Sequence, residues 1–153
     1  MSESLKNNVS PPDFRATLVP IVNIVCNKMN IGHMVDFYCG NDPIMKHIKV
    51  DHPMKIQCYD PFIDRFKAAP VITEMVFFAI EAEAMSDEDV DSLLSEIEAI
   101  TGTVALVAIK HTERPYQWWL RKMMDRFEID TFQNYGTGFH MILSPNQERI
   151  VIQ

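Results

Sequence analysis

At 153 residues the chain is about one domain long, enough to bury roughly two-thirds of the surface its unfolded form exposes. Apolar residues at 47% and charged ones at 23% exclude a disordered chain. The balance of 14 basic against 21 acidic residues, a net charge of −7, disfavours a generic nucleic-acid platform.

The three cysteines, Cys26, Cys39 and Cys58, form no C-x-x-C pair. That argues against a disulfide framework or a Cys-rich zinc site and points to reduced thiols in a cytoplasmic protein. No apolar run reaches the length of about 18 residues that a membrane span requires, and the first residues lack the layout of a secretory signal. The expectation is a soluble, non-membrane domain.

Residues 1–12 are polar and close on Ser10, Pro11 and Pro12, which predicts a loose tail ahead of a single domain over 13–153. Leu18, Ile21, Val22, Val25 and Met29 recur at helical spacing, predicting an amphipathic helix over 13–29. Residues 34–39, 75–80 and 104–109 are continuous apolar runs, the pattern of parallel strands covered on both faces. Residues 55–60 alternate more and predict a strand nearer an edge.

Ser86 followed by Asp87, Glu88 and Asp89 marks a helix start, and Val90, Leu93, Leu94 and Ile97 supply its buried stripe. Asp91, Glu96 and Glu98 fall on the outward face, which reads as solvated. Pro115 opens a second helix with Tyr116, Trp119, Leu120, Met123 and Phe127 on one face, leaving Trp118 off the stripe. Residues 132–135 and 139–143, joined by Gly136-Thr137-Gly138, predict a hairpin. A turn at Ser144-Pro145-Asn146 precedes a final edge strand over 149–153. Strand–helix alternation ending in an antiparallel hairpin predicts a three-layer α/β domain.

In open α/β sheets the residues after each buried strand face the ligand crevice. After the first such strand stands Val35-Asp36-Phe37-Tyr38-Cys39-Gly40, and Asp60 closes the next strand 24 positions beyond Asp36. The apolar strand, its acidic residue and the Gly-bearing turn resemble the cofactor loop of class I S-adenosylmethionine-dependent methyltransferases. Asp-Phe-Tyr-Cys-Gly is similar to RNA uracil-5 methyltransferases, and residues 113–127 look like the late helix of phage-type members. The resemblance runs over residues 20–145.

It implies a Rossmann-like methyltransferase-type sandwich, mostly parallel, with the C-terminal antiparallel hairpin. The stretch from Asp60 to Glu74 is too short for the usual third strand and its helix. It also implies an S-adenosylmethionine site in which Asp36, Tyr38, Cys39, Gly40 and Asn41 cradle the methionine end. Asp60 would accept hydrogen bonds from the ribose, and Phe62 would lie near the adenine. Glu81 or Glu83 would act as base for an unknown methyl acceptor; the alternative for both is a solvated loop carboxylate.

Three departures stand beside these implications. Asp42 occupies the place of a further glycine, Tyr38 replaces the first glycine of the commoner Asp-x-Gly-Cys-Gly form, and the fourth motif has no histidine, asparagine or aromatic residue. They leave a second reading, a catalytically inactive pseudo-methyltransferase that binds or regulates a protein partner. Cys39 precedes a possible helix, where a thiol can turn acidic, or it simply packs the loop. His47, Asp51, His52 and Cys58 carry metal-capable atoms but no dense ligand spacing, so no metal site is expected.

Overall fold

The computed structural model describes residues 12–41, 43–81, 85–110 and 113–146. Six strands form one sheet: β1 (His33–Phe37), β2 (Lys55–Tyr59), β3 (Thr73–Glu81), β4 (Thr101–Lys110), β5 (Phe127–Asn134) and β6 (Gly138–Pro145). Their order is β2-β1-β3-β4-β6-β5. The first four are parallel, and β6 runs antiparallel to both β4 and β5.

The continuous apolar runs become the two-sided centre of this sheet, because alternate side chains serve opposite layers. Val35, Phe37, Val76, Phe78 and Ile80 face α3 (Asp87–Ile100) and α4 (Tyr116–Met124). Met34, Met75, Phe77, Ala79, Leu106 and Ala108 face α2 (Val19–Lys28). Among the described residues no helix is long and apolar enough to cross a membrane.

The predicted helix over 13–29 is two helices, α1 (Pro12–Thr17) and α2, broken at Leu18. Pro20 explains the break: it has no N–H for a backbone bond, and its ring crowds the preceding turn. β2 takes the edge expected of it. Between β2 and β3 the chain forms only a 3₁₀ turn, Asp64–Phe66, with neither strand nor α-helix. After β1 the backbone likewise makes a 3₁₀ turn, Ile44–His47, with Pro43 ahead of it.

The Ser86 hydroxyl accepts the Asp89 N–H at 3.1 Å, so α3 starts where its cap predicts. Its outward acids are not simply solvated. Asp91 accepts Lys122 at 2.9 Å and Glu98 accepts Arg126 at 3.2 Å, which ties α3 to α4 and the residues after it. Trp118 lies between the Arg114 guanidinium, 4.4 Å from its ring centre, and the Lys122 ammonium at 5.4 Å.

Phe127 opens β5 rather than extending the helical stripe, and β6 continues through Pro145 where a turn is predicted. The predicted final strand over 149–153 lies outside the described residues.

Candidate functional site

Strand order reverses at β1, with β2 on one side and β3 on the other, so the ligand crevice belongs above the carboxyl ends of β1 and β3. The chain leaves β1 through two left-handed residues, Tyr38 (φ 56°) and Gly40 (φ 68°). Between them the Cys39 N–H donates to the Tyr59 carbonyl at 3.1 Å, holding the turn against the end of β2.

Asp60 stands at that meeting point. Its Oδ2 accepts the Gly40 N–H at 3.0 Å and its Oδ1 accepts the Phe62 N–H at 3.0 Å, while the residue is 2% exposed. Gly40 and Asp60, the two halves of the sequence-based site, are therefore brought together and bonded to each other. Asn41 is exposed beside them, and its carbonyl accepts Arg65 at 3.3 Å. Phe62 is half-buried against the α3-side core.

Asp36 and Tyr38 point into the interior. The Asp36 carboxylate is fully buried, pairs with the Arg15 guanidinium, and accepts the Ile44 N–H at 3.2 Å. Burial pushes its carboxyl above the ordinary aspartate range, against the pull of Arg15. The Tyr38 ring is buried among Phe37, Tyr59, Phe62 and Phe78, with its hydroxyl 3.5 Å from Glu96. Burial raises both the Tyr38 phenol and the Glu96 carboxyl.

Cys39 packs the turn rather than offering a thiolate. Its hydrogen bond to Cys58, and then burial, push its thiol well above the ordinary range.

Arg15 is the site residue that sequence reasoning missed. It is 1% exposed, its carbon head lies 5.3 Å from the Phe77 ring centre, and Nε and Nη1 find no hydrogen-bond partner among the described residues. A signal existed: Arg15, Leu18 and Val22 share the i, i+3, i+7 face of the first helix. A charge on a buried stripe calls for a counter-charge inside the fold.

Glu81 ends β3, half-buried, with Oε1 4.0 Å from the Lys110 ammonium at the end of β4. Glu83 and Asp42 lie outside the described residues. Beside Lys110 a cleft of about 410 Å3 opens between α1 and the β5–β6 turn, with Phe14 and Thr17 on one wall and Tyr135 and Thr137 on the other. A second, larger cavity of about 620 Å3 lies between Tyr59 and Pro61 and the α3 residues Ser92, Ser95 and Glu96. It borders the edge strand, on the side that the short stretch after β2 leaves uncovered.

No family model and no curated protein matches the chain. Solved structures do. The 16S rRNA methylase ArmA superposes with a TM-score of 0.61 over 86% of this chain and 83% of its own, at 15% identity. Magnesium protoporphyrin IX methyltransferase from Synechocystis PCC 6803, solved with bound SAM, gives 0.60 over 87% and 80%, at 9% identity. DhpI, solved as a complex with SAH, gives 0.57 over 88% and 91%, at 12% identity. The chain has the fold of the class I S-adenosylmethionine-dependent methyltransferases.

Proposed function

We propose that the protein binds S-adenosylmethionine above the carboxyl end of β1, with the ribose held by Asp60 after β2 and the methyl group directed past β3 to an acceptor entering beside β4. The observation that supports this most directly is the meeting of the Gly40 turn and Asp60 at the switch point of the sheet, 3.0 Å apart. Each Asp60 oxygen already accepts one backbone N–H and keeps a second lone-pair direction, so the carboxylate would hold the ribose by sharing rather than by standing free. Phe62 would lie along the adenine, with the Cys39–Asn41 turn next to the methionine part.

Arg15 extends this set. Its Nε and Nη1, buried and unpartnered among the described residues, would suit the carboxylate of an amino acid if cofactor binding opened a path to them. Asp36 then acts by holding Arg15 in place. When bound, the cofactor supplies an electrophilic methyl group on a sulfonium. The chain's own part is positioning, with a base needed only where the acceptor must lose a proton. Glu81 would hold Lys110 in position at the rim of the acceptor cleft.

A second reading, a catalytically inactive pseudo-methyltransferase acting as a binding or regulatory module, starts from the same contacts. Asp60 is 2% exposed with both oxygens engaged, and Asp36 is consumed by Arg15. Thermal unfolding with S-adenosylhomocysteine separates the two. Ligand at about 100 times its dissociation constant adds roughly 2.7 kcal/mol, a shift of about 5 °C or more for a domain of this size. Asp60→Asn should abolish the shift while retaining the native circular dichroism spectrum. No shift at millimolar ligand overturns the cofactor reading and leaves the binding module.

A further inference from the structure

The cleft between α1 and the β5–β6 turn carries a proton-handling pair that the fold does not explain. Tyr135 is 48% exposed on its wall, and the phenol hydrogen-bonds Nδ1 of His140, which is 5% exposed. Burial lowers the His140 imidazole and raises the Tyr135 phenol, so near neutral pH the histidine is uncharged and the tyrosine keeps its proton. In the tautomer that carries the histidine's own proton on Nε2, the phenol donates to Nδ1. The Tyr135 oxygen keeps lone pairs to accept a donor from the cleft.

Among the described residues, the charged groups nearest this cleft are Lys110 on β4, with Glu81 of β3 beside it, Arg15 on α1, and Arg114, which borders Thr137 and Gly138 from the far side of the turn. The neighbours paired with His140 on β4 and β5, Ala108 and Gln133, carry no charge.

We propose that this cleft binds the methyl acceptor, that the acceptor is a planar aromatic ring bearing an ionisable O–H or N–H, and that Tyr135 and His140 take its proton. The proposal rests on the methyltransferase reading for its reaction and on the cleft alone for its ligand. Phe14 and the Tyr135 ring offer apolar walls for a flat ring, and the Lys110 ammonium, 5.4 Å from the Phe14 ring centre, stabilises negative charge developing on the bound heteroatom.

As the acceptor's heteroatom forms its bond to the methyl carbon of a sulfonium, the carbon–sulfur bond breaks, and sulfur keeps that electron pair and leaves as a neutral thioether. The acceptor's O–H or N–H proton passes to the Tyr135 oxygen. The Tyr135 proton passes to His140 Nδ1. One positive charge leaves the sulfonium and one appears on the imidazole, so the step balances. Tyr135 is the catalytic residue here and His140 the group that accepts through it.

β4 and β6 lie two and three strand spacings from β1, so Lys110 stands about 10 Å, and the start of β6 beside Tyr135 about 14 Å, sideways from the Gly40 turn. Both places lie at the carboxyl end of the parallel strands, so the reaction requires an extended cofactor whose sulfonium reaches from the Gly40 turn to the mouth of the cleft.

The test uses the isotope-labelled full chain by NMR, with catechol as probe and cyclohexanol as saturated control. Catechol at millimolar concentration should shift the amides of Lys110, Thr137 and Gly138 and move the His140 imidazole signals, while cyclohexanol should not. Lys110→Ala should weaken catechol about tenfold, the loss expected for one hydrogen bond to a charged group. Tyr135→Phe should keep the amide shifts and silence the imidazole response. No catechol shift at the cleft, an equal response to cyclohexanol, or an unchanged imidazole response in Tyr135→Phe overturns the proposal. S-adenosylhomocysteine, read at the Gly40 and Asn41 amides in parallel, tests the cofactor reading separately. If it is silent while catechol binds, the methyltransferase reading fails and the cleft remains an aromatic site; the reverse result sinks the cleft and spares the cofactor.

Discussion

Replacing Arg15 with methionine should be the most damaging conservative change in the α1–β1 region, for a reason the buried pair makes explicit. Arg15 and Asp36 are 1% and 0% exposed, and without the guanidinium the Asp36 carboxylate keeps one described donor, the Ile44 N–H at 3.2 Å. Removing one partner of such a pair leaves an uncompensated buried charge, a loss of about 3–5 kcal/mol. Urea unfolding reads it directly: with a slope of about 1–3 kcal/mol per molar, the midpoint should fall by more than about 1 M.

The pH dependence has a fixed sign. Burial holds the native Asp36 carboxyl above its unfolded value, more so without Arg15. Between those two values the native variant binds more protons than the unfolded chain, so its deficit should shrink as pH falls through that window. The double variant Arg15→Met with Asp36→Leu should recover most of the loss, because the two changes couple through one contact. A drop below about 1 kcal/mol for Arg15→Met, or simple additivity in the double variant, would show Asp36 to be free and refute the reasoning.

At the β4–β6 seam, a Cβ on Gly138 would meet the Ile109 carbonyl oxygen at 2.4 Å and the Lys110 Cα at 2.9 Å. Gly138→Ala should therefore cost about 1–3 kcal/mol in the urea midpoint, since both obstacles are backbone. Gly136 has open space around it but φ of +85°, so Gly136→Ala should cost only about 1 kcal/mol of backbone strain. Ser86→Ala removes the α3 cap and should lower stability by about 1 kcal/mol, with Ser86→Asn retaining it. Because burial lowers the folded His140 value, the unfolded chain binds the extra proton first. Stability should fall as pH drops below about 6.5, and His140→Gln should flatten that slope in pH-dependent thermal scans.

The sheet was legible because burial on both faces leaves a run of apolar residues, as in Met75–Ile80 and Val104–Ile109, with no polar position to interrupt it. The start of α3 was legible because Ser86 and three acids solve the exposed N–H problem of a helix end locally. The break at Leu18 was harder, since apolar periodicity continues straight across Pro20 and only the missing N–H interrupts it. Phe127 misled for a similar reason: it sits four residues beyond Met123, and helical spacing cannot say whether the chain has already turned into β5. The pairing of Asp91 and Glu98 with Lys122 and Arg126 depends on how α3 and α4 lie together, which neither helix encodes alone.

The site divides along the same line. An acidic residue ending a strand has one sequence signature and two uses, facing a ligand or capping a turn, and Asp60 does the second whatever it does of the first. What decides is the position of two backbone N–H groups, at Gly40 and Phe62, which side-chain identity does not report. Arg15 and His140 escaped for a related reason, since each is a polar residue inside an otherwise apolar pattern and pattern reading smooths over such interruptions. The buried polar residues here mark the interesting positions: Arg15, Asp36 and Asp60 join α1, β1 and the Gly40 turn, while His140 bonds Tyr135 at the wall of the cleft beside Lys110. A charge buried without need costs several kcal/mol, and a core of this size could be built from leucines. Retaining three ionisable residues at the edge where sheets of this order bind ligands is therefore better explained by a task than by stability. Arg15, with two donors unpartnered among the described residues, is where that task would first show itself.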